Sequence, residues 1–328
     1  MKRTRWAWTV SLLAVCLGLS GYGRALSAED GAGAIPEGEI VTGMAEIVEN
    51  PDLAAEDRFP EAEREDWQNI PVIAHAMGTV DGRRETNSLD AFLESYEAGQ
   101  RVFEVDLQLT SDGHLVARHD WEQESYYNLE QDGMGVMDYE TFRSTPICFF
   151  YTPLDIEGLV SLLRTYPDMY LVTDSKETDE ETVRAQMEEM VRAVREAGDE
   201  TLWERIIVQI YHEEMYDWVS REAPVTNWIY TLYQLEDPDY EEIGAFCREK
   251  EIPVVTVSTD RVNKENVSTL HSYGCRVYVH TVNRLRNMLE LSWCIDGFYS
   301  DYMTPAEVGA VLSGTSQMIL QDMAGTDK

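Results

Sequence analysis

The sequence predicts a parallel α/β architecture, of a size that suits one eight-stranded barrel plus extensions. Three observations carry this. The chain has 328 residues and 44% hydrophobic content, enough for one large core. From Pro71 onward, short β-branched runs alternate with helical patterns, the mark of strand–helix repeats. The histidines and acids of greatest chemical interest fall at the ends of predicted strands, where a parallel barrel builds its site.

Residues 1–28 read as an export signal or signal anchor. Lys2, Arg3 and Arg5 form a basic start, Trp6 to Leu19 an apolar run, and Ala25-Leu26-Ser27-Ala28 a small-residue cleavage region. The run is short of the roughly 20 residues that a membrane span needs. The protein is therefore expected to be secreted or extracytoplasmic, touching a membrane only through this segment if it stays uncleaved. Residues 29–68 read as an acidic linker with a short helix near Pro60 to Trp67. Residues 69–312 make the predicted barrel and 313–328 a C-terminal tail.

Candidate strands are 71–75, 101–109, 115–119, 169–175, 205–210, 227–233, 253–258, 276–282 and 296–300. Helical patterns cover 88–98, 155–165, 179–197, 212–221, 239–250, 264–273 and 284–291. The strands number one more than an eight-stranded barrel holds. The Ser111-Asp112-Gly113 turn joins two of them with no helix between, so one of that pair is a hairpin arm or the barrel lacks a helix there.

The net charge is −35, from 61 acidic and 26 basic residues. Such a surface repels nucleic acid and anionic lipid, and a phosphate site must bring its own local positive charge. No amphipathic membrane stripe is evident, which favours a small soluble substrate. Cys148, Cys247, Cys275 and Cys294 follow the signal. Export permits disulfides, yet these residues read more simply as buried small hydrophobes, and no His/Cys spacing suggests zinc.

Glu104 and Asp106 lie two apart in a strand, so both point to one face. Two neighbouring carboxylates on a barrel's inner face repel, and a hard divalent cation resolves the conflict; a solvated strand face is the plainer alternative. Asp174 and Lys176 repeat the spacing, offering a third carboxylate ligand and a cation for a phosphate oxygen, or merely a strand-end charge pair. His75 closes the first candidate strand and His119 the third. Asp120 is placed either to orient a ring or to begin a loop. His114 reads as exposed, and His212 and His271 fall in predicted helices without an assigned role.

The order His75, Asn87-Ser88-Leu89, Glu104-Val105-Asp106-Leu107, Thr110-Ser111-Asp112-Gly113, His119-Asp120 resembles the glycerophosphodiester phosphodiesterases, within the superfamily of phosphatidylinositol-phospholipase-C-like barrels. Thr152-Pro153-Leu154, Asp174-Ser175-Lys176, Thr281-Val282-Asn283, Asp296-Gly297 and Ser300-Asp301 extend the likeness over about residues 71–306. The resemblance implies a TIM (β/α)8 barrel and a divalent cation, Ca²⁺ or Mg²⁺, held by Glu104, Asp106 and Asp174. It also implies His75 and His119 as the acid–base pair, with Lys176 and Asn87 near phosphate and metal. The sequence departs from the family pattern at Ala76, where an arginine is usual, at Thr86, where a glutamate is usual, and at His280, where an aromatic residue is usual. Losing the arginine removes a bidentate phosphate clamp, for which Arg83, Arg84 and Arg118 are candidate replacements.

The expected function is metal-dependent cleavage of a small glycerophosphodiester-like substrate. One histidine takes a proton from the nucleophile and the other protonates the leaving oxygen; an attacking neighbouring hydroxyl would give a cyclic phosphate first. His280 is a candidate for the leaving-group pocket, or for packing. Tyr211, Tyr230 and Tyr233 are expected mainly to pack the barrel. Two further readings stay open: a secreted barrel that binds a phosphorylated or polyol ligand without turnover, suggested by Ala76 and Thr86, and a sphingomyelinase-D-like phospholipase. A glycosidase with paired carboxylates leaves His75 and His119 unexplained.

Overall fold

The computed structural model describes residues 66–121 and 135–314. Its strands are β1 Val72–Ala74, β2 Val102–Leu109, β3 Leu115–Ala117, β4 Tyr170–Asp174, β5 Ile206–Ile210, β6 Asn227–Thr231, β7 Val254–Ser258, β8 Arg276–His280 and β9 Gly297–Ser300. The helices are α1 Leu89–Glu97, α2 Tyr139–Ser144, α3 Ile156–Thr165, α4 Glu180–Ala197, α5 Glu213–Glu222, α6 Tyr240–Glu249, α7 Lys264–Ser272, α8 Leu285–Leu291 and α9 Pro305–Leu312. Of the predicted helix near Pro60 to Trp67, only Asp66 and Trp67 lie within the described residues; Asp66 caps and Trp67 opens a 3-10 turn, Trp67–Asn69. The predicted signal, most of the linker and nearly all of the tail lie outside them.

Strand pairing closes a barrel. The order runs β1-β9-β8-β7-β6-β5-β4-β2, and β1 pairs with β2, so eight parallel strands complete the ring. The surplus strand is β3, which pairs antiparallel to β2 through Leu107 with Ala117 and Leu109 with Leu115. It is a hairpin arm riding on the barrel, and with the ring of helices this is a TIM (β/α)8 barrel.

Helix starts follow from local chemistry. Ser88, Asp155, Asp179 and Asn263 each accept a hydrogen bond from a first-turn amide, satisfying donors that the helix cannot. Thr304 does the same in a reciprocal box with Glu307, with Pro305 at the first helical position. No described helix is long and apolar enough to cross a membrane.

The barrel interior is stacked by the two-residue period of its strands. Ile73, Val102, Val172, Ile207, Ile229, Val254, Tyr278 and Tyr299 form one inward apolar layer, joined from below by Trp67 and Ile70. Trp67 Nε1 donates to Asn227 Oδ1 at 3.0 Å and Tyr278 Oη to the Ile70 carbonyl at 2.8 Å, so residues 67–70 plug the floor. Gly297 admits the Tyr278 ring, whose atoms lie 2.6 Å from where a Cβ would stand. A larger apolar shell binds the outer barrel face to the helices.

Gly78 fixes the exit from β1. Its φ is +92°, and a Cβ there would lie 2.0 Å from Ser95 Oγ on α1. Its amide donates to the His75 carbonyl at 2.8 Å. Gly78→Ala is expected to destabilise the protein by about 2–3 kcal/mol, from left-handed strain plus overpacking. Urea unfolding measures this, and an unchanged midpoint would show that the turn tolerates the substitution.

Candidate active site

Two residues above each inward apolar residue, the same strand face turns polar. Val102 is followed by Glu104 and Asp106, Val172 by Asp174, Ile73 by His75 and Tyr299 by Asp301. Ile207 is followed by Gln209, Ile229 by Thr231, Val254 by Thr256 and Tyr278 by His280. All of these polar residues except Asp106 and Asp301 line a cavity of about 310 Å³ at the C-terminal end of the barrel, with His119, Lys176, Tyr233 and Thr281 at its sides.

Glu104, Asp106 and Asp174 are buried side by side, with ligand oxygens within 4.8 Å of one another. Lys176 is their direct cationic partner, with Nζ 2.7 Å from Asp106 Oδ1 and 2.6 Å from Asp174 Oδ2. Glu104 Oε1 and Asp174 Oδ1 are buried without a hydrogen-bond partner. Asp106 Oδ1 also makes no hydrogen bond, although it faces Lys176. Burial, with Asp106 alongside, pushes Glu104 up to about 8. Burial likewise raises Asp174 against the pull of Lys176. Burial also opposes ionisation of Asp106, but Lys176, His75 and His119 win and hold it near 2. Three oxygen donors with unused lone pairs and excess negative charge fit a hard divalent cation.

Asn87 stands behind Asp106. Its Nδ2 donates to Asp106 Oδ2 at 2.8 Å and its Oδ1 accepts from the Asp106 amide at 3.0 Å. It is fully buried with φ +50°, a conformation asparagine tolerates better than most residues. The Ala76 amide donates to Glu104 Oε2 at 2.7 Å, an anchor supplied by backbone alone. Thr86, also buried, bonds the Ser88 hydroxyl.

His75 lies one residue beyond β1, in a 3-10 turn whose Ala76 and Met77 have positive φ. The sequence reading closed the strand with it; the ring continues the inward face of Ile73 into the cavity, and the left-handed turn follows it. Its Nδ1 lies 2.7 Å from Asp301 Oδ1. Burial works against a charged ring, but the Asp301 bond and the charges of Glu104 and Asp106 prevail and raise His75 to about 9. Asp301 is held in turn by Asn283 Nδ2 at 2.5 Å, and its amide donates to Asn283 Oδ1 at 2.8 Å.

His119 lies two residues beyond β3, where the strand candidate 115–119 had included it. It does not crown a barrel strand. The antiparallel arm brings the chain back, and the Arg118 amide donates to the Asp106 carbonyl at 2.8 Å, which sets His119 beside the carboxylates. Its Nδ1 lies 2.6 Å from Asp120 Oδ2. Arg118 is buried, donates to the Asp120 carbonyl, and lies 4.5 Å over the Trp121 ring. Arg84 reaches 3.8 Å from Asp301 Oδ2 at the rim.

The structure thus brings His75, His119, Glu104, Asp174, Lys176 and His280 to one cavity, with Asp106 and Asn87 immediately behind. Lys176 has φ +59°, and its amide donates to Tyr211 Oη at 2.9 Å, so Tyr211 positions this backbone as well as packing. Tyr233 lines the mouth and Tyr230 is buried against Phe246. Cys148, Cys247, Cys275 and Cys294 are all free thiols. Sequence reasoning gave no role to Asp301, Gln209, Thr231 or Thr256. The signal for them is the strand period itself, two residues past the last inward apolar side chain.

Fold and site together define a phosphodiester-cleaving barrel with an acidic cation cradle and two carboxylate-paired histidines. The chain belongs to the Glycerophosphoryl diester phosphodiesterase family, whose family model matches residues 79–304, and it is a phosphoric diester hydrolase. Solved structures repeat the fold. A Silicibacter pomeroyi protein carrying the same family description is 19% identical, covering 77% of this chain and 96% of its own at a TM-score of 0.60. A Parabacteroides distasonis glycerophosphodiester phosphodiesterase is 18% identical, with coverages of 76% and 98% and a TM-score of 0.59. An Oleispira antarctica phosphodiesterase, solved with the product sn-glycerol-3-phosphate, is 16% identical, with coverages of 74% and 96% and a TM-score of 0.60.

Proposed function

We propose that this protein hydrolyses small glycerophosphodiesters outside the cytoplasm by histidine acid–base catalysis beside a Ca²⁺ or Mg²⁺ ion. The observation that carries the reading is the single cavity lined by His75, His119, Glu104, Asp174 and Lys176. Glu104, Asp106 and Asp174 would hold the cation, and Asn87 fixes Asp106 for it. When bound, the ion supplies charge to stabilise the phosphoryl oxygens. Lys176 adds a second positive charge to the same oxygens. One histidine accepts the proton of the attacking hydroxyl, from water or from the substrate's own neighbouring alcohol. The other donates a proton to the departing alkoxide. Asp301 and Asp120, each on a ring Nδ1, leave Nε2 of His75 and His119 to face the reaction. The basic, apolar N-terminus supports export.

The test is alcohol release from glycerophosphocholine, glycerophosphoethanolamine and glycerophosphoinositol, with Ca²⁺, with Mg²⁺ and with chelator. Turnover that requires a cation is expected. A folded protein that binds these compounds with cation present and releases no alcohol would establish the non-catalytic binder instead.

A further inference from the structure

The cavity has two unlike halves. On β1, β2 and β4 it is charged: His75, Glu104, Asp174 and the adjoining Lys176. On the four consecutive strands β5 to β8 it presents Gln209, Thr231, Thr256 and His280, with no carboxylate, lysine or arginine among them. We infer that His280 determines specificity in this neutral half, its Nε2 hydrogen-bonding a hydroxyl of an uncharged, hydroxylated group next to the scissile phosphate. The inference rests on the phosphodiesterase reading above.

The first support is an orphaned atom. His280 Nε2 is buried and has no hydrogen-bond partner. A buried ring nitrogen without a partner carries a desolvation penalty that a bound ligand can relieve. The His280 ring lines the cavity, so an occupant of the cavity is the group placed to relieve it. The ring is also neutral: burial, with His75 and Lys176 nearby, lowers it to about 4. It therefore bonds hydroxyls without adding charge.

The second support is how its neighbours spend their own hydrogen bonds. Tyr299 Oη donates to Gln209 Oε1 at 2.7 Å, which occupies the carbonyl and leaves the amide of Gln209 as donor. Burial keeps Tyr299 protonated, so that donation holds at neutral pH. Thr256 Oγ1 donates to Thr231 Oγ1 at 2.7 Å, which leaves the Thr231 hydroxyl proton to donate in its turn. The wall thus offers neutral donors at successive strands, together with the His280 ring. A hydroxylated group satisfies them; an acyl chain would bury them unpaired.

Packing alone does not explain a histidine here. The ring sits edge-on to Tyr233 and Tyr299, at 5.6 and 6.3 Å, and a phenyl ring would do the same. His280→Phe therefore removes the nitrogens and keeps the ring, while His280→Gln keeps a polar terminus.

The experiment pairs these variants with two substrates in the presence of Ca²⁺: sn-glycero-3-phosphocholine and its analogue without the primary hydroxyl, 2-hydroxypropyl phosphocholine, which keeps the hydroxyl next to the phosphoester. Binding of sn-glycerol 3-phosphate is followed by calorimetry alongside. His280→Phe is expected to raise KM for the glycerol compound about 10–100-fold, leave kcat within about threefold, and leave the deoxy analogue unaffected. His280→Gln should recover part of the loss, and the calorimetric Kd should move with KM. An equal change on both substrates, or none on either, would overturn the inference. If the natural protein turns over neither compound, the phosphodiesterase reading fails, and the calorimetry still decides His280. Binding that His280→Phe weakens would keep it, and binding equal in both proteins, or none in either, would remove it.

Discussion

His75→Ala and His119→Ala are each expected to lower kcat/KM by roughly 10³-fold, the usual worth of a positioned acid or base. The double variant should fall little further, because each proton transfer is useless without the other. The His119 side chain is about one-third exposed, so its removal should leave the fold intact and the loss purely catalytic. Asp301→Asn should act more mildly, at about tenfold, and through His75. The Asp301 hydrogen bond and charge help raise that ring to about 9, so the substitution lowers its pKa. An NMR titration of the metal-free variant should show His75 deprotonating at lower pH than in the natural protein. If His119→Ala kept more than a tenth of the activity, the two-histidine mechanism would be wrong.

Cation binding should raise the melting temperature, and by more at pH 8 than at pH 5. Glu104 has a folded-state pKa near 8 against an ordinary 4.5, because burial and Asp106 disfavour its charge. A carboxyl raised in this way contributes stability below its unfolded pKa and loses it as pH climbs through the folded value. His75, raised to about 9 from 6.5, acts in the same direction, above pH 6.5. Asp106 has the opposite sign, but its window lies below pH 4. The metal-free protein should therefore weaken steadily between pH 5 and 8. A divalent ion needs the carboxylates deprotonated, so its benefit grows over that range. At a thousandfold excess over Kd the gain is about 4 kcal/mol, or roughly 10 °C for a domain of this size. Calorimetric scans with Ca²⁺ or Mg²⁺ at both pH values, repeated on Glu104→Gln, test this. An equal rise at both pH values, or one that survives Glu104→Gln undiminished, would rule out the carboxylate cradle as its source.

Much of this was legible in the sequence because it is local. The strand runs, the helical patterns and the same-face spacing of Glu104 with Asp106 are short-range periodicities, and the structure keeps them. The Ser111-Asp112-Gly113 turn left a hairpin arm open as one reading, but that β3 is the arm was not legible. Leu115–Ala117 reads like any buried strand, and only pairing with Leu107 and Leu109 makes it an arm. The turn that follows His75 was hidden too, because left-handed φ at Ala76 and Met77 contradicts what those residues ordinarily favour. Asp301 lies 226 residues from His75, and no local pattern joins such a pair. Gln209, Thr231 and Thr256 carry no charge, so within apolar strands they read as incidental.

The plug formed by Trp67 and Ile70 makes the barrel a blind alley. Whatever reaches the carboxylates enters by the rim that Tyr233 overlooks, and both fragments of a cleaved diester must withdraw through that doorway. The fragment seated deeper waits for the other to clear. Traffic through this opening ties the release of one product to the departure of its twin, a constraint set by Trp67 and Ile70, which lie outside the cavity lining.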